Sequence, residues 1–343
     1  MNPRRRQRPA WSRLPDEDLL ELRLCDLDLR IEGSPVERHV ERLYRELAAR
    51  GIGFRPHCWI AQEWFSPDGV PGIAIPFYLL HPRLKSLERR FMGEVEGGNA
   101  RSLMRILRHE AGHAIDTAFR LRRRSKWREI FGPASTRYPR HYRPRPGSRR
   151  YVQHLGKWYA QSHPTEDFAE TLAVWLTPRS AWRRRYAGWP ALRKLQYVDE
   201  LMAGLRGRRT AVRARRHIEP LGIARRTLRQ HYEHRVRHYR GDDAARIDKI
   251  LKRIFTTARK RRGQAPAARM LREDLPALRR RVARASDASE YLVQEIVEHL
   301  IDRCSSLRLL VRRDRRVARR RAERVVMALV RHAMRNSGPW LAL

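Results

Sequence analysis

The stretch "LMRILRHEAGHAIDTAFR" (103–120) constrains the fold of this chain more than any other. Leu103, Met104, Ile106, Leu107, Ala111, Ala114, Ile115 and Ala118 cover most of its circumference at helical spacing, which predicts a largely buried helix. Inside it lie His109, Glu110 and His113. Histidines four residues apart sit one turn apart on the same face, so both imidazoles reach one ion. Glu110 lies beside them, where a carboxylate can poise a metal-activated water. Ionisable groups on a buried helix are costly unless paired or metal-bound. Gly112 costs about 1 kcal/mol relative to Ala in a helix interior. Its place is explained if a second helix crosses closely there.

A zinc site of this kind needs a third protein ligand and one open position. The stretch "EDFAE" offers Glu166 and Glu170, one turn apart on a helix otherwise made of Phe168, Ala169, Leu172, Ala173, Trp175 and Leu176. One carboxylate would bind the metal and the other would orient a ligand. Their spacing does not say which. Asp116 continues the stripe of His109 and His113. It is expected to accept a hydrogen bond from a ligand histidine, since its short side chain reaches the ion poorly from one turn on.

Bulk properties bound the alternatives. The chain of 343 residues suffices for one large domain or two ordinary ones. It has no apolar run long enough to cross a membrane, and the basic N-terminus lacks the apolar region of a signal peptide, so a cytoplasmic protein is expected. The three cysteines, Cys25, Cys58 and Cys304, are far apart and read as buried free thiols. The formal net charge is +39; residues 1–200 carry 38 basic and 23 acidic groups, residues 201–343 carry 38 and 14. Such a tail attracts polyanions without sequence preference.

Along the chain, residues 1–15 read as a basic arm. "LLELRLCDLDLRI" alternates from Leu20 to Ile31 and predicts a strand. A helix follows, with Ser34 as cap, Pro35 at its first position and Gly51 at its close. "CWIAQEWFS" (58–66) and "GIAIPFYLL" (72–80) predict two more strands, the second a candidate edge onto which an extended peptide adds. The motif helix is expected to run to about Arg124, and residues 125–156 to be irregular. Helices are predicted over 164–176 and near 189–205. From about residue 207 only helical spacing recurs: Ile247, Ile250, Leu251, Ile254 and Phe255, then Leu292, Ile296, Leu300 and Ile301, then Val325, Val326, Leu329 and Val330. The expected class is α+β: a domain of a small sheet plus active-site helices over 16–206, then a basic all-α domain over 207–343.

The motifs of residues 100–206 resemble a known family. "HEAGHAID", Tyr159 seven residues before Glu166, "EDFAETLAVWL" and the Trp/Leu-rich helix after it look like the gluzincin metallopeptidases, in particular the anthrax lethal-factor type. They are also similar to bacterial proteins described only as zinc-binding metallopeptidases. The resemblance implies a zincin-like fold and one zinc held by His109, His113 and Glu166. It further implies Glu110 as general base, Tyr159 as oxyanion donor and Glu170 as the group orienting a ligand. The basic half has no counterpart in that family, and the segment between His113 and Glu166 is this protein's own, so substrate choice is not carried over.

Other residues have plainer readings. His163 could replace Tyr159 as donor, but beside Pro164 it reads first as a helix-entry residue. His231, His234 and His238 share a helical face, read as a solvated or half-buried histidine face rather than a second metal site. The arginine runs read as solvated faces, with Arg137, Arg140, Arg143 and Arg145 placed to steer acidic substrates. Three functions follow: a cytoplasmic zinc peptidase acting on a protein or peptide substrate, a zinc-containing binding or sensing module without catalysis, and a nucleic-acid-associated protein acting through its basic half.

Overall fold

The computed structural model describes residues 9–93, 95–139, 144–145, 147–156, 158–257, 264–286, 288, 290–311 and 314–335. The chain separates into two compact units. The first extends to His231 apart from Arg90–Gly93, and these four join the second, which continues from Tyr232.

The first unit opens with α1 (Asp16–Leu20) and α2 (Glu37–Ala49), followed by β1 (His57–Ala61), β2 (Gly72–Pro76) and α3 (Pro82–Met92). Next come α4 (Ala100–Phe119), α5 (Ser125–Phe131), α6 (Pro164–Leu176), α7 (Trp182–Arg185) and α8 (Ala191–Ala203). The predicted strand over Leu20–Ile31 is absent. Leu19, Leu20, Leu24 and Leu27 are buried, and these separations belong to helical turns, while Leu22 and Leu29 are only partly buried. β1 and β2 pair in parallel with Trp59 opposite Ala74. "GIAIPFYLL" is a strand only to Pro76, after which Phe77–Leu80 form a 3-10 turn.

The expected peptide-binding edge is also filled. Every residue of β2 is buried, the Ala74 N–H donates to Phe65 O, and Ser66 Oγ donates to Gly72 O. Successive residues of a strand direct their hydrogen-bonding groups to alternate sides. These bonds therefore occupy the side of β2 away from β1, and Pro76 adds no donor.

The core of this unit is the crossing of α4 and α6. α4 begins in a capping box between Asn99 and Ser102, and Arg120 ends it in the left-handed region at φ 51°. It stops short of the expected Arg124. α6 begins with Pro164 at its first position, behind His163, whose side chain accepts from Thr165 N. All of α6 from Thr165 to Leu176 is buried. The two helices approach so closely at Gly112 that a Cβ there would lie 2.7 Å from Ala169 Cα. α2 is tied to α4 by a buried bidentate pair, Arg108 to Glu46 at 2.7 and 2.8 Å. Within the segment expected to be irregular, α5 packs Trp127 and Phe131 against Phe168.

The second unit contains most of α9 (Leu228–Ile254), then β3 (Thr256–Thr257), α10 (Ala267–Ser286), α11 (Glu290–Ser306), β4 (Leu309–Leu310) and α12 (Arg315–Arg335). β3 and β4 form a two-residue antiparallel ladder. Ile247, Leu251, Ile254, Phe255, Ile296 and Val326 contribute to one apolar cluster, at the positions where helical spacing placed them. The units divide at 231/232 rather than 206/207, because residues 207–231 are bonded into the first: Ala211 N and Val212 N donate to Ala118 O, Leu228 N to Leu22 O, and Trp59 Nε1 to Ile218 O.

Gly112→Ala should therefore destabilise the protein by about 1–3 kcal/mol, the usual range for overpacking, despite Ala's better helix propensity. Urea denaturation of the zinc-free protein checks this, and an unchanged midpoint would contradict the close crossing.

Candidate metal centre

Each helix presents two groups one turn apart, and the crossing brings the pairs together. His109 Nε2 lies 3.0 Å from Glu166 Oε2 and His113 Nε2 lies 3.1 Å from the same oxygen. The two Nε2 atoms are 3.2 Å apart. Tetrahedral zinc ligands about 2.0–2.1 Å from the ion stand roughly 3.3 Å from one another. The three atoms thus outline one face of such a tetrahedron. Among the described residues, His109, His113 and Glu166 are the one His/Cys/Asp/Glu group of three or more that could hold a metal ion. His109 and Glu166 are 3% and 5% exposed, while His113 is half-buried and forms the solvent-facing side of the cluster.

Glu170 contacts His109 from the other side of its ring. Its Oε1 lies 2.9 Å from His109 Nδ1 and its Oε2 accepts from Leu155 N at 2.8 Å. An ionised carboxylate only accepts, so Nδ1 carries the proton and Nε2 turns toward Glu166. The spacing of the two glutamates left this division of labour open. Glu166 in turn accepts from Tyr138 OH through Oε1 at 2.7 Å, which leaves Oε2 for the histidines.

Charge follows geometry. Burial alone would lower the histidine pKa values, but the hydrogen bonds and charges of Glu166 and Glu170 outweigh it at His109 and hold that group well above its ordinary value. The Glu166 charge likewise raises His113. For Glu166, burial acts upward, yet His113 and His109 hold it well below the usual carboxylate range. Raised histidines beside a lowered carboxylate favour protonated imidazoles in the metal-free protein. The donor set of two imidazoles and one carboxylate fits Zn2+ in their place.

Glu110 is 7% exposed, and among the described residues its Oε2 is buried with no hydrogen-bond partner. A buried acceptor left this way is unfavourable unless a water or substrate group completes it. Its main-chain carbonyl is held by Ser66 Oγ at 3.1 Å. Tyr159 stands on a 3-10 turn (Tyr159–Gln161), its ring 5.5 Å from that of His109. Burial, then the charges of Glu166 and Glu110, raise its pKa and keep the phenol protonated.

One expectation meets a different arrangement. Asp116 was expected to accept from a ligand histidine. Its oxygens instead accept from Arg122 N at 2.8 Å and Arg122 Nε at 2.6 Å, so its influence on His113 is through space. Burial raises the Asp116 pKa despite that pairing. His163 is the helix-entry residue: Nδ1 lies 2.7 Å from Thr165 Oγ1 and Nε2 2.7 Å from Thr136 O. His231 is buried, with Nδ1 3.2 Å from Gln62 Oε1, whereas His234 is exposed; the side chain of His238 lies outside the described residues. Arg137 and Arg145 are exposed, and Arg140 and Arg143 lie outside the described residues.

Two neighbours had no sequence signal. Tyr138 stacks on His163 with ring centroids 3.7 Å apart, and it comes from a stretch without periodicity. His154 is buried with Nε2 2.9 Å from Arg105 O, and burial lowers its pKa to about 4, so it stays neutral beside Glu170.

The zinc-free protein should consequently be most stable between about pH 4.5 and 6.5 as far as this cluster is concerned. The raised histidines contribute stability that is complete below their unfolded pKa of 6.5 and is lost as pH rises through the folded values. Glu166 contributes stability present above its unfolded pKa of 4.5 and lost on acidification. Urea midpoints across pH 4–9 with and without zinc test this. Zinc, which needs deprotonated imidazoles, should reverse the alkaline loss; a zinc-free midpoint rising steadily to pH 9 would rule the cluster out as its source.

None of the curated proteins or solved structures compared with the chain matches it. Residues 85–184, which span α4, α6 and every residue of the cluster, match the model of the family described as "Putative zinc-binding metallo-peptidase", and that match supports a zinc peptidase in general.

Proposed function

We propose that the protein is a gluzincin-type zinc metalloendopeptidase, with one zinc per chain held by His109, His113 and Glu166. The observation that carries this reading is the convergence of three ligand atoms at 3.0–3.2 Å, together with a buried Glu110 oxygen that has no hydrogen-bond partner among the described residues. Zinc, when bound, polarises the scissile carbonyl and brings the pKa of its water toward about 7.

The chain's own groups do the rest. Glu110 takes a proton from the attacking water at Oε2 and returns it to the leaving amine. Tyr159, kept protonated by its surroundings, donates to the carbonyl oxygen as negative charge develops, a contribution of roughly 3 kcal/mol for a well-placed donor. Glu170 fixes the tautomer and rotation of His109, and Tyr138 holds Glu166 so that Oε2 faces inward. No helix among the described residues is long and apolar enough to cross a membrane. The three free thiols support a cytoplasmic setting.

His109→Ala and His113→Ala should lose zinc, read as metal content of the purified protein. Glu110→Gln should keep about one zinc per chain and lose peptide cleavage by at least about 100-fold, as expected for a general base. Zinc retained in the wild type without cleavage across a broad peptide library would overturn catalysis and leave a zinc-containing binding or sensing module. Tyr138→Phe should weaken zinc affinity by about 10-fold, the scale at which groups supporting a ligand act. A chelator competition measures that, and unchanged affinity would remove Tyr138 from the centre.

A further inference from the structure

Between α8 and a 3-10 turn at Leu221–Ile223, residues 206–217 have the sequence "RGRRTAVRARRH". The segment holds six arginines (Arg206, Arg208, Arg209, Arg213, Arg215 and Arg216) and no carboxylate. It is neither helix nor paired strand, yet it is fastened. Ala211 N and Val212 N donate to Ala118 O at 2.8 and 3.0 Å, and just beyond its end Trp59 Nε1 donates to Ile218 O at 2.9 Å. Ala214 and Ile218 pack against the buried cluster of Trp59, Ala61, Val70 and Ala74. All six arginines are exposed. A strap anchored by its apolar residues and main chain thus presents its cations outward.

These cations are not neutralised internally. Among the described residues none of the six belongs to an ion pair, in contrast to Arg269, Arg281, Arg303 and Arg319 of the second unit, which pair with Glu273, Glu323, Asp248 and Asp274. Arg208, Arg209 and Arg213 join Arg55 around an open cavity of about 470 Å³ lined without any acidic residue. Like charges gathered this way repel one another, and a polyanion relieves that repulsion. Guanidinium groups match phosphate oxygens in bidentate fashion. At the end of the strap the exposed His217 ring stacks 5.5 Å from Trp59, a surface on which a base can lie. Such an array, alternately anchored and cationic, suits a linear polyanion that carries rings.

We propose that the strap 206–217, with Arg55, is a sequence-independent binding surface for the phosphate backbone of a single nucleic-acid strand. The surface is independent of the zinc chemistry. It places the binding on a structured element of the first unit rather than on the basic helices after residue 231.

The test uses the full chain and a labelled 20-nucleotide random-sequence single strand. R208Q/R209Q/R213Q/R215Q is compared with R316Q/R320Q/R321Q/R324Q, which removes the same charge from exposed positions of α12. The strap variant should bind at least about 10-fold more weakly at 50 mM salt. Its plot of log affinity against log salt should be shallower by about 3, near 0.7 for each phosphate of a single strand that is no longer neutralised. The α12 variant should change affinity by less than about 3-fold, and lysine at the four strap positions should keep the slope. Because the strap arginines make no ion pairs among the described residues, the urea midpoint should not fall. Equal losses in the two variants would reduce the binding to generic polycation behaviour and overturn the proposal. So would unchanged binding by the strap variant, or tighter binding to vesicles of phosphatidylserine and phosphatidylcholine than to the strand.

Discussion

The close approach of α4 and α6 at Gly112 and Ala169 is the constraint on which the candidate centre depends. Carboxylate side chains are short, and an imidazole on the neighbouring helix comes within 3 Å of them only if the backbones nearly touch. A side chain at position 112 would hold them apart, since even a Cβ would meet Ala169 Cα at 2.7 Å. With glycine there, two pairs of residues with matching four-residue spacing interdigitate. Glu166 falls between the two histidines and Glu170 behind His109. The helix-propensity cost of the glycine is small beside the desolvation of two carboxylates left without partners.

The rest of the first unit neutralises what that crossing buries. Asp116 is held by Arg122, Asp167 by Lys194, and Glu46 by Arg108. Breaking such a pair leaves an uncompensated charge in a poor solvent, so each pair specifies how its helices sit more than it adds net stability. Asp167, with burial raising its pKa to about 7 in spite of Lys194, shows how large the desolvation is on α6. Within this compensated surrounding, Glu110 Oε2 is buried with no hydrogen-bond partner among the described residues. The supports come from loops as well as helices: Leu155 N holds Glu170 and Tyr138 holds Glu166. The segment between α4 and α6 thus supports the candidate centre.

Much of this was legible in the residues. The apolar stripes of α4 and α6, Pro164 at a helix start and the anomalous Gly112 are local signals, and each corresponds to an observed feature. Other expectations failed where local pattern and tertiary burial diverge. The alternation over Leu20–Ile31 mimics a strand, but the residues that are buried there follow turn spacing. "GIAIPFYLL" reads as a strand that could serve as an edge or lie in the core, yet its edge is occupied by Phe65 and Ser66 from the loop before it. Arg122 lies just past the end of α4, and the left-handed residue Arg120 turns the chain so that it caps Asp116 in place of a histidine.

By itself the sequence determined that two buried helices would each carry a pair of polar groups one turn apart, because periodicity and residue type are properties of the chain. Only the tertiary structure decided that Glu166 reaches the Nε2 atoms while Glu170 reaches Nδ1. Both glutamates share one face and one spacing, and their difference lies in where along α6 the crossing falls. The same is true of Tyr138 and of the arginine strap. Tyr138 acquires its partner, and the strap its anchors, from residues distant in sequence, and no local pattern encodes such pairings.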